Sequence, residues 1–242
     1  MLLTGKLALI TGGGRGIGRS IAIAFAREGA AVVIAARTAT EIDKTAQEIC
    51  SQGHKAIAIS ADISKQADVQ RLIGETQQRL GQIDILVNNA GISKSLSLTD
   101  TSMSMWRETM DINLDGVFLC IKAVLGGMVK RKSGNLINIA SGAGLRGLPH
   151  NAAYAASKAG VVALSQSLAG EVADAGVKVN VICPGPIETE MLAKSANRDF
   201  LLDRPANLMP PEDVAGAALF LASDLSGNLT GQTINVRTTS RW

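Results

Sequence analysis

Leu7-Ala8-Leu9-Ile10-Thr11-Gly12-Gly13-Gly14-Arg15-Gly16-Ile17-Gly18 decides the fold of this chain. Four apolar residues, short enough for a buried strand, run into a glycine-rich turn, and an amphipathic stretch from Gly18 to Glu28 follows directly. Glycines at such a turn let the backbone approach a pyrophosphate, while the new helix offers free N–H groups and the positive end of its dipole. The spacing is G-x-x-x-G-x-G, carried by Gly12, Gly16 and Gly18, with Gly14, Arg15 and Ile17 between them. A turn that only links strand to helix would read the same way. No Gly-Lys-Ser/Thr ends it, which argues against a mononucleotide loop.

The same alternation repeats along the chain. Strands are predicted at Leu7 to Ile10, Ala31 to Ala35, Ala56 to Ile59, Ile85 to Val87, Leu136 to Ile139, Val177 to Ile182 and Thr233 to Val236. Helical patterns lie between them at Gly18 to Glu28, Thr40 to Ser51, Lys65 to Leu80, Met103 to Arg131, Ala152 to Ala173 and Pro211 to Ala222. Continuous apolar strands suit a parallel sheet covered on both faces. The pattern predicts one doubly wound α/β domain over residues 1–242, with ligands beyond the carboxyl ends of its strands. Residues 184–210 form the longest irregular piece, which is expected to be a substrate lid.

Composition narrows the function classes. Of 242 residues, 46% are apolar but only 3% aromatic, which suits small-residue helices packed closely on a sheet. The net charge of +3 is modest and the basic residues are scattered among acidic ones, so nucleic-acid binding gains no support. Cys50, Cys120 and Cys183 lie far apart in apolar segments and are expected as buried free thiols in a reducing, cytoplasmic compartment. His54 and His150 stand alone, so no metal site is expected. The opening residues do not resemble a signal peptide, and no uncharged apolar run approaches a membrane span, so no membrane partner is expected.

Strand ends supply further candidates. An enzyme selecting NAD usually places a carboxylate after the second strand, where this chain has Ala36 followed by Arg37. Arg15 could converge on the same point, and two guanidiniums suit a 2′-phosphate, so NADP(H) is the expected cofactor. Asp62 could accept a hydrogen bond from an adenine amino group with Ile63 flanking the ring, or could cap the next helix. In Asn88-Asn89-Ala90-Gly91 the amides can pin loops while Ala90 and Gly91 leave room for a ribose. Tyr154 is the single tyrosine and stands one helical turn before Lys158. A cation about 4 Å from a phenol is worth about 1 kcal/mol in water and about 4 kcal/mol at an effective dielectric of 20. The larger figure would bring a phenol of ordinary pKa near 10 within reach of neutrality.

Gly12-x-x-x-Gly16-x-Gly18, Asn88-Asn89-Ala90-Gly91, Asn113, Ser141 and Tyr154-x-x-x-Lys158 follow one another in register. Together they resemble the short-chain dehydrogenase/reductase family, from about Thr4 to about Asn235. The resemblance implies a Rossmann-type domain with a seven-stranded parallel sheet in order 3-2-1-4-5-6-7 and a nicotinamide cofactor. It implies a catalytic tetrad of Asn113, Ser141, Tyr154 and Lys158. Ser141 would hydrogen-bond the substrate oxygen and Tyr154 would protonate it. Lys158 would keep the phenol acidic and bind the nicotinamide ribose, and Asn113 would hold a relay water. Pro184 and Gly185 would flank the nicotinamide, with the Ile187 backbone and the Thr189 hydroxyl on its carboxamide.

Within that family the chain is most similar to 3-oxoacyl-acyl-carrier-protein reductases, which implies a ketone substrate, in that case carrier-protein-bound, and a homotetramer. Lys130-Arg131-Lys132 could meet an acidic carrier or simply be a solvated helix end. Asp174-Ala175 stands where such reductases tend to keep a basic residue, and Gly14 where NADP-using relatives often have serine. Val236 to Trp242 replaces the Gly-Gly that usually follows the last strand. Steroid, sugar or cyclic alcohols remain alternative substrates, and a non-catalytic NADP(H)-binding protein is the alternative class. Leu192, Phe200, Leu201, Leu202, Leu208 and Met209 could line an apolar pocket or pack on the core. Ala155, Ala156, Ala159 and Gly160 could allow close helix approach between subunits or pack inward.

Overall fold

A computed structural model describes residues 1–193 and 208–238. Its elements, in chain order, are β1 (Leu7–Thr11), α1 (Gly16–Arg27), β2 (Ala31–Ala36), α2 (Ala39–Ser51), β3 (Ala56–Ser60), α3 (Gln66–Leu80) and β4 (Ile85–Asn88). Then come α4 (Met103–Met110), a π-helical segment (Asp111–Asp115), α5 (Gly116–Lys130), β5 (Gly134–Ile139), α6 (Ala143–Arg146) and α7 (Ala152–Glu171). β6 (Val177–Pro184), α8 (Glu190–Ala193), α9 (Pro211–Ala222) and β7 (Thr233–Val236) complete the order.

All seven strands are parallel and lie in the order β3-β2-β1-β4-β5-β6-β7. The strand order reverses between β1 and β4, and that switch point opens the crevice in which such sheets hold ligands. Register follows the pleat. Leu9 pairs with Val33 and Leu86, and this row faces Leu72 of α3, Ile121 of α5 and Val161 of α7. One residue on, Ile10 pairs with Ile34 and Val87, and that row faces Phe25 of α1, Ile42 of α2 and Val214 of α9. Both faces are therefore buried, which is why the strands are apolar throughout rather than alternating.

Local chemistry sets several boundaries. Ser102 accepts a hydrogen bond from the Met105 N–H at 3.2 Å and so caps α4. Pro211 opens α9 with Glu212 and Asp213 in its first turn, where a missing donor costs nothing and carboxylates meet the positive end of the dipole.

Two expectations are corrected here. The stretch from Met103 to Arg131 is not one α-helix: the π-helical segment interrupts it and turns Asn113 fully inward. A polar side chain with buried partners displaces the regular ladder, as is common at functional sites. Cys50 is exposed, because it falls on the solvent face of α2, whereas Cys120 and Cys183 are buried and all three are free.

The segments from Met103 to Lys130 together are long and apolar enough to cross a membrane by length and composition, although charged residues interrupt the apolar run. Within the fold, Val117, Cys120, Ile121, Val124 and Met128 of α5 are buried.

Candidate active site

The turn after β1 is fixed from below by β4. Asn89 Nδ2 donates to the carbonyls of Thr11 at 3.0 Å and Gly12 at 3.1 Å. Thr11 Oγ1 accepts from the Asn89 and Ala90 N–H groups. Gly12 has φ +66°, and a Cβ there would lie 2.8 Å from Ala90 Cα. A Cβ at Gly18 would lie 2.3 Å from the Gly12 carbonyl oxygen. Only glycine allows α1 to start this close to the turn.

The turn opens into a cavity of about 1180 Å³ that runs across the switch point. Gly12, Gly14, Arg15, Gly16 and Ile17 line one part, and Arg37, Asp62 and Ile63 line another. Asn89, Ala90 and Gly91 form its floor, and Ser141, Tyr154, Lys158, Pro184, Gly185, Ile187 and Thr189 surround the far end. Two candidates are absent from the lining. Gly18 acts behind the wall through its packing on Gly12, and Asn113 is buried behind Gly91. The missing side chains and the length of the cavity suit a dinucleotide. Among the described residues, no group of three His, Cys, Asp or Glu side chains gathers as metal ligands.

At the end nearest β2 and β3, burial pushes the Asp62 carboxyl up, but two hydrogen bonds from Ser64 and the Arg37 and Lys65 cations hold it below its usual value. Asp62 is thus an ionised acceptor; it does not cap α3, whose cap position is Lys65. Arg37 is exposed beside it. Arg15, which also lines the cavity, bonds Glu190 of α8 at 2.6 Å and Glu41 of α2 at 3.3 Å.

At the far end, Lys158 is 4% exposed and donates to the Ile139 carbonyl at 2.8 Å. Burial lowers its pKa to about 8, with Cys183 acting in the opposite direction. Its Nζ lies 5.8 Å from the Tyr154 ring centroid. Burial also raises the Tyr154 phenol above its usual range, against a hydrogen bond with the Ser141 side chain that lowers it. The acidified phenol expected from the sequence is therefore not what the folded chain holds. The ammonium is turned toward a carbonyl, and desolvation outweighs it.

Asn113 braces this end. Its Oδ1 accepts from the Ile92 N–H at 2.8 Å, and its Nδ2 donates to the Ile92 carbonyl at 2.9 Å and to Ser157 Oγ at 3.1 Å. Ser157 Oγ in turn donates to the Tyr154 carbonyl. Both Asn113 donors are thus committed to the protein, leaving one lone pair on Oδ1 for a water.

Several site residues escaped the sequence reading. Cys183 lies under Ser141 and influences both Tyr154 and Lys158; the pairing of β5 with β6 puts it there. Ser157 was visible only as the residue before Lys158. Arg237 reaches the cavity beside Gly142, although its place in the atypical tail was noticeable. Near the two ends of the irregular stretch, Ile187 bridges to Met209, and the Glu188 N–H donates to the Met209 carbonyl at 2.9 Å. Met209 packs on the core and Leu192 lines the cavity, while Phe200, Leu201 and Leu202 lie outside the described residues.

Comparison with known proteins agrees with this geometry. The family model described as short chain dehydrogenase matches residues 6–199. A 3-oxoacyl-[acyl-carrier-protein] reductase of Synechocystis is 43% identical over 97% of this chain and 96% of its own length. The (2S)-[(R)-hydroxy(phenyl)methyl]succinyl-CoA dehydrogenase subunit BbsD of Thauera aromatica is 42% identical over 98% and 96%. Among solved structures, a Beutenbergia cavernae protein provisionally called an NAD(P)-dependent gluconate 5-dehydrogenase, with NADP bound at low occupancy, superposes with a TM-score of 0.90. It is 36% identical and covers 97% of this chain, and 96% of its own chain is covered.

Lys158 gives a pH prediction. Its proton is held less tightly in the folded chain, near 8, than at its ordinary value of 10.5. Between those values the unfolded state binds more protons, so stability rises with pH; this contribution is complete above 10.5 and lost as pH falls through about 8. Urea unfolding of wild type and Lys158→Met at pH 7 and pH 10.5 should show wild type gaining about 3 kcal/mol relative to the variant at the higher pH. An unchanged difference would contradict the burial of this cation.

Proposed function

This chain belongs to the short chain dehydrogenase family, an oxidoreductase family acting on CH–OH and C=O groups, and we propose that it reduces a ketone of the 3-oxoacyl thioester type to a secondary alcohol with NADPH. One observation carries this reading. Tyr154, its Ser141 partner and the buried Lys158 meet at the far end of a cavity that begins at the glycine turn.

When bound, a reduced nicotinamide supplies the hydride. The chain supplies the rest. Ser141 donates a hydrogen bond to the carbonyl oxygen, and Tyr154 gives that oxygen its proton. A raised phenol pKa does not obstruct this step. An alkoxide, like hydroxide, is a far stronger base than a phenolate, so the transfer remains downhill. The reverse reaction would need a phenolate, which burial disfavours. Reduction leaves the same phenolate behind, so the raised value does not set the direction of the reaction. Lys158, mostly protonated at pH 7, stabilises the phenolate left behind, and Asn113 keeps the Gly91 floor in place and has an acceptor site for a relay water.

The absence of an acid at Ala36 and the presence of Arg37 support NADP(H) over NAD(H). In this reading Asp62 and Ile63 receive the adenine, while Pro184, Gly185, the Ile187 backbone and the Thr189 hydroxyl surround the nicotinamide; residues 184–210 act as a substrate lid. The free cysteines support a cytoplasmic setting. Docking of a carrier protein draws less support, because Arg131 of the basic patch is used locally on the Ile83 carbonyl and Gln82. A sugar-acid substrate is the second reading, favoured by the likeness to the Beutenbergia cavernae protein. A homotetramer built through α5 and α7 is supported by exposed Phe118, Val129, Ala156 and Ala159 on those helices.

NADPH consumption should follow addition of acetoacetyl thioesters on coenzyme A or carrier protein, faster than NADH consumption. Tyr154→Phe should lower kcat/KM by about 10² to 10⁴. Near-normal turnover by that variant would overturn the reading. Sedimentation should give a mass four times that of the chain, and a monomer would overturn the assembly.

A further inference from the structure

The substrate end of the cavity carries two cations that the reduction does not use. Arg146 ends α6 and Arg237 follows β7; both line the cavity with Ser141 and Tyr154. Arg237 lies across the residue next to Ser141: its Nη2 is 3.0 Å from the position a Cβ on Gly142 would take. Its stem lies along the turn at Gly185, with Cγ 3.5 Å from the corresponding point there. A backbone bond from the Gly185 N–H to the Val236 carbonyl, at 2.9 Å, holds that turn to the end of β7. Glycines at 142 and 185 thus leave the space that the side chain occupies.

We propose that Arg237, with Arg146, binds a carboxylate carried by the ketone itself, so that the preferred substrate is an oxo acid rather than a neutral ketone or ester. The inference rests on the reductase reading only for which end of the cavity holds the ketone. Guanidinium groups bind carboxylates through paired, charge-assisted hydrogen bonds. Arg237 loses hydration by burial and also feels the Arg146 charge, a combination that lowers its pKa. A carboxylate seated there extends away from Ser141 and leaves the carbonyl at the Ser141 and Tyr154 hydroxyls. This makes the two arginines specificity-determining residues rather than catalytic ones.

The test is direct binding, which does not depend on turnover. Calorimetric titration, with and without NADP⁺, compares acetoacetate, 4-oxopentanoate and 5-oxohexanoate with their methyl esters. At least one acid should bind about 10- to 100-fold more tightly than its ester. That ratio should fall at least tenfold in Arg237→Gln and recover in part in Arg237→Lys. Arg146→Gln, at an exposed position, reads the same ratio if Arg237→Gln fails to fold. Equal binding of acids and esters, or a ratio unchanged in both glutamine variants, would overturn the inference. Turnover of the esters by wild type would then leave the reductase reading standing, whereas tight acid binding without NADPH consumption would overturn only the reductase reading.

Discussion

The buried ammonium of Lys158, held on the Ile139 carbonyl, is the interaction around which the rest of the site is arranged. A cation in such a place is costly unless its donors are satisfied. The end of β5 supplies an acceptor, and α7 is long enough to bring the residue there from one side of the sheet. One turn earlier the same helix presents Tyr154, so a single rigid element fixes amine and phenol together. The price is visible in both groups: burial lowers one pKa to about 8 and raises the other.

Other departures from regular structure serve the same region. The π-helical segment turns Asn113 onto Ile92 and Ser157, and Ser157 bonds back to the Tyr154 carbonyl. Gly91 passes between Asn113 and Lys158, where a Cβ would sit 3.2 Å from one and 3.5 Å from the other. Beneath the glycine turn, Asn89 and Thr11 tie β1 to β4. Backbone that must approach a ligand closely is thereby held by side chains from the neighbouring strand.

The fold was legible because its signals are local. Strand lengths and the glycine turn are written in consecutive residues, and every strand formed where its apolar run stands. The Tyr154 and Lys158 pair was legible because one helical turn separates them. The sign of the phenol's pKa was not, because it depends on burial that many distant residues create. Nor was the break in the helix at Asn113, whose partners Ile92 and Ser157 come from other elements. The ion pair of Arg15 with Glu190 was not legible for a similar reason: Glu190 is 175 residues away, so nothing near Arg15 announces it. Cys183 enters the site only through the pairing of β5 with β6.

If the amine exists to serve the phenol, the two side chains act as one unit. A double-mutant cycle on kcat/KM for ketone reduction, using Tyr154→Phe, Lys158→Met and the pair together, measures that dependence. Strong coupling is expected, with the double variant little slower than the slower single one and faster than the product of the two losses by about tenfold or more. Losses that simply multiply would mean that the two residues work independently, and the proton-delivery pair would have to be abandoned.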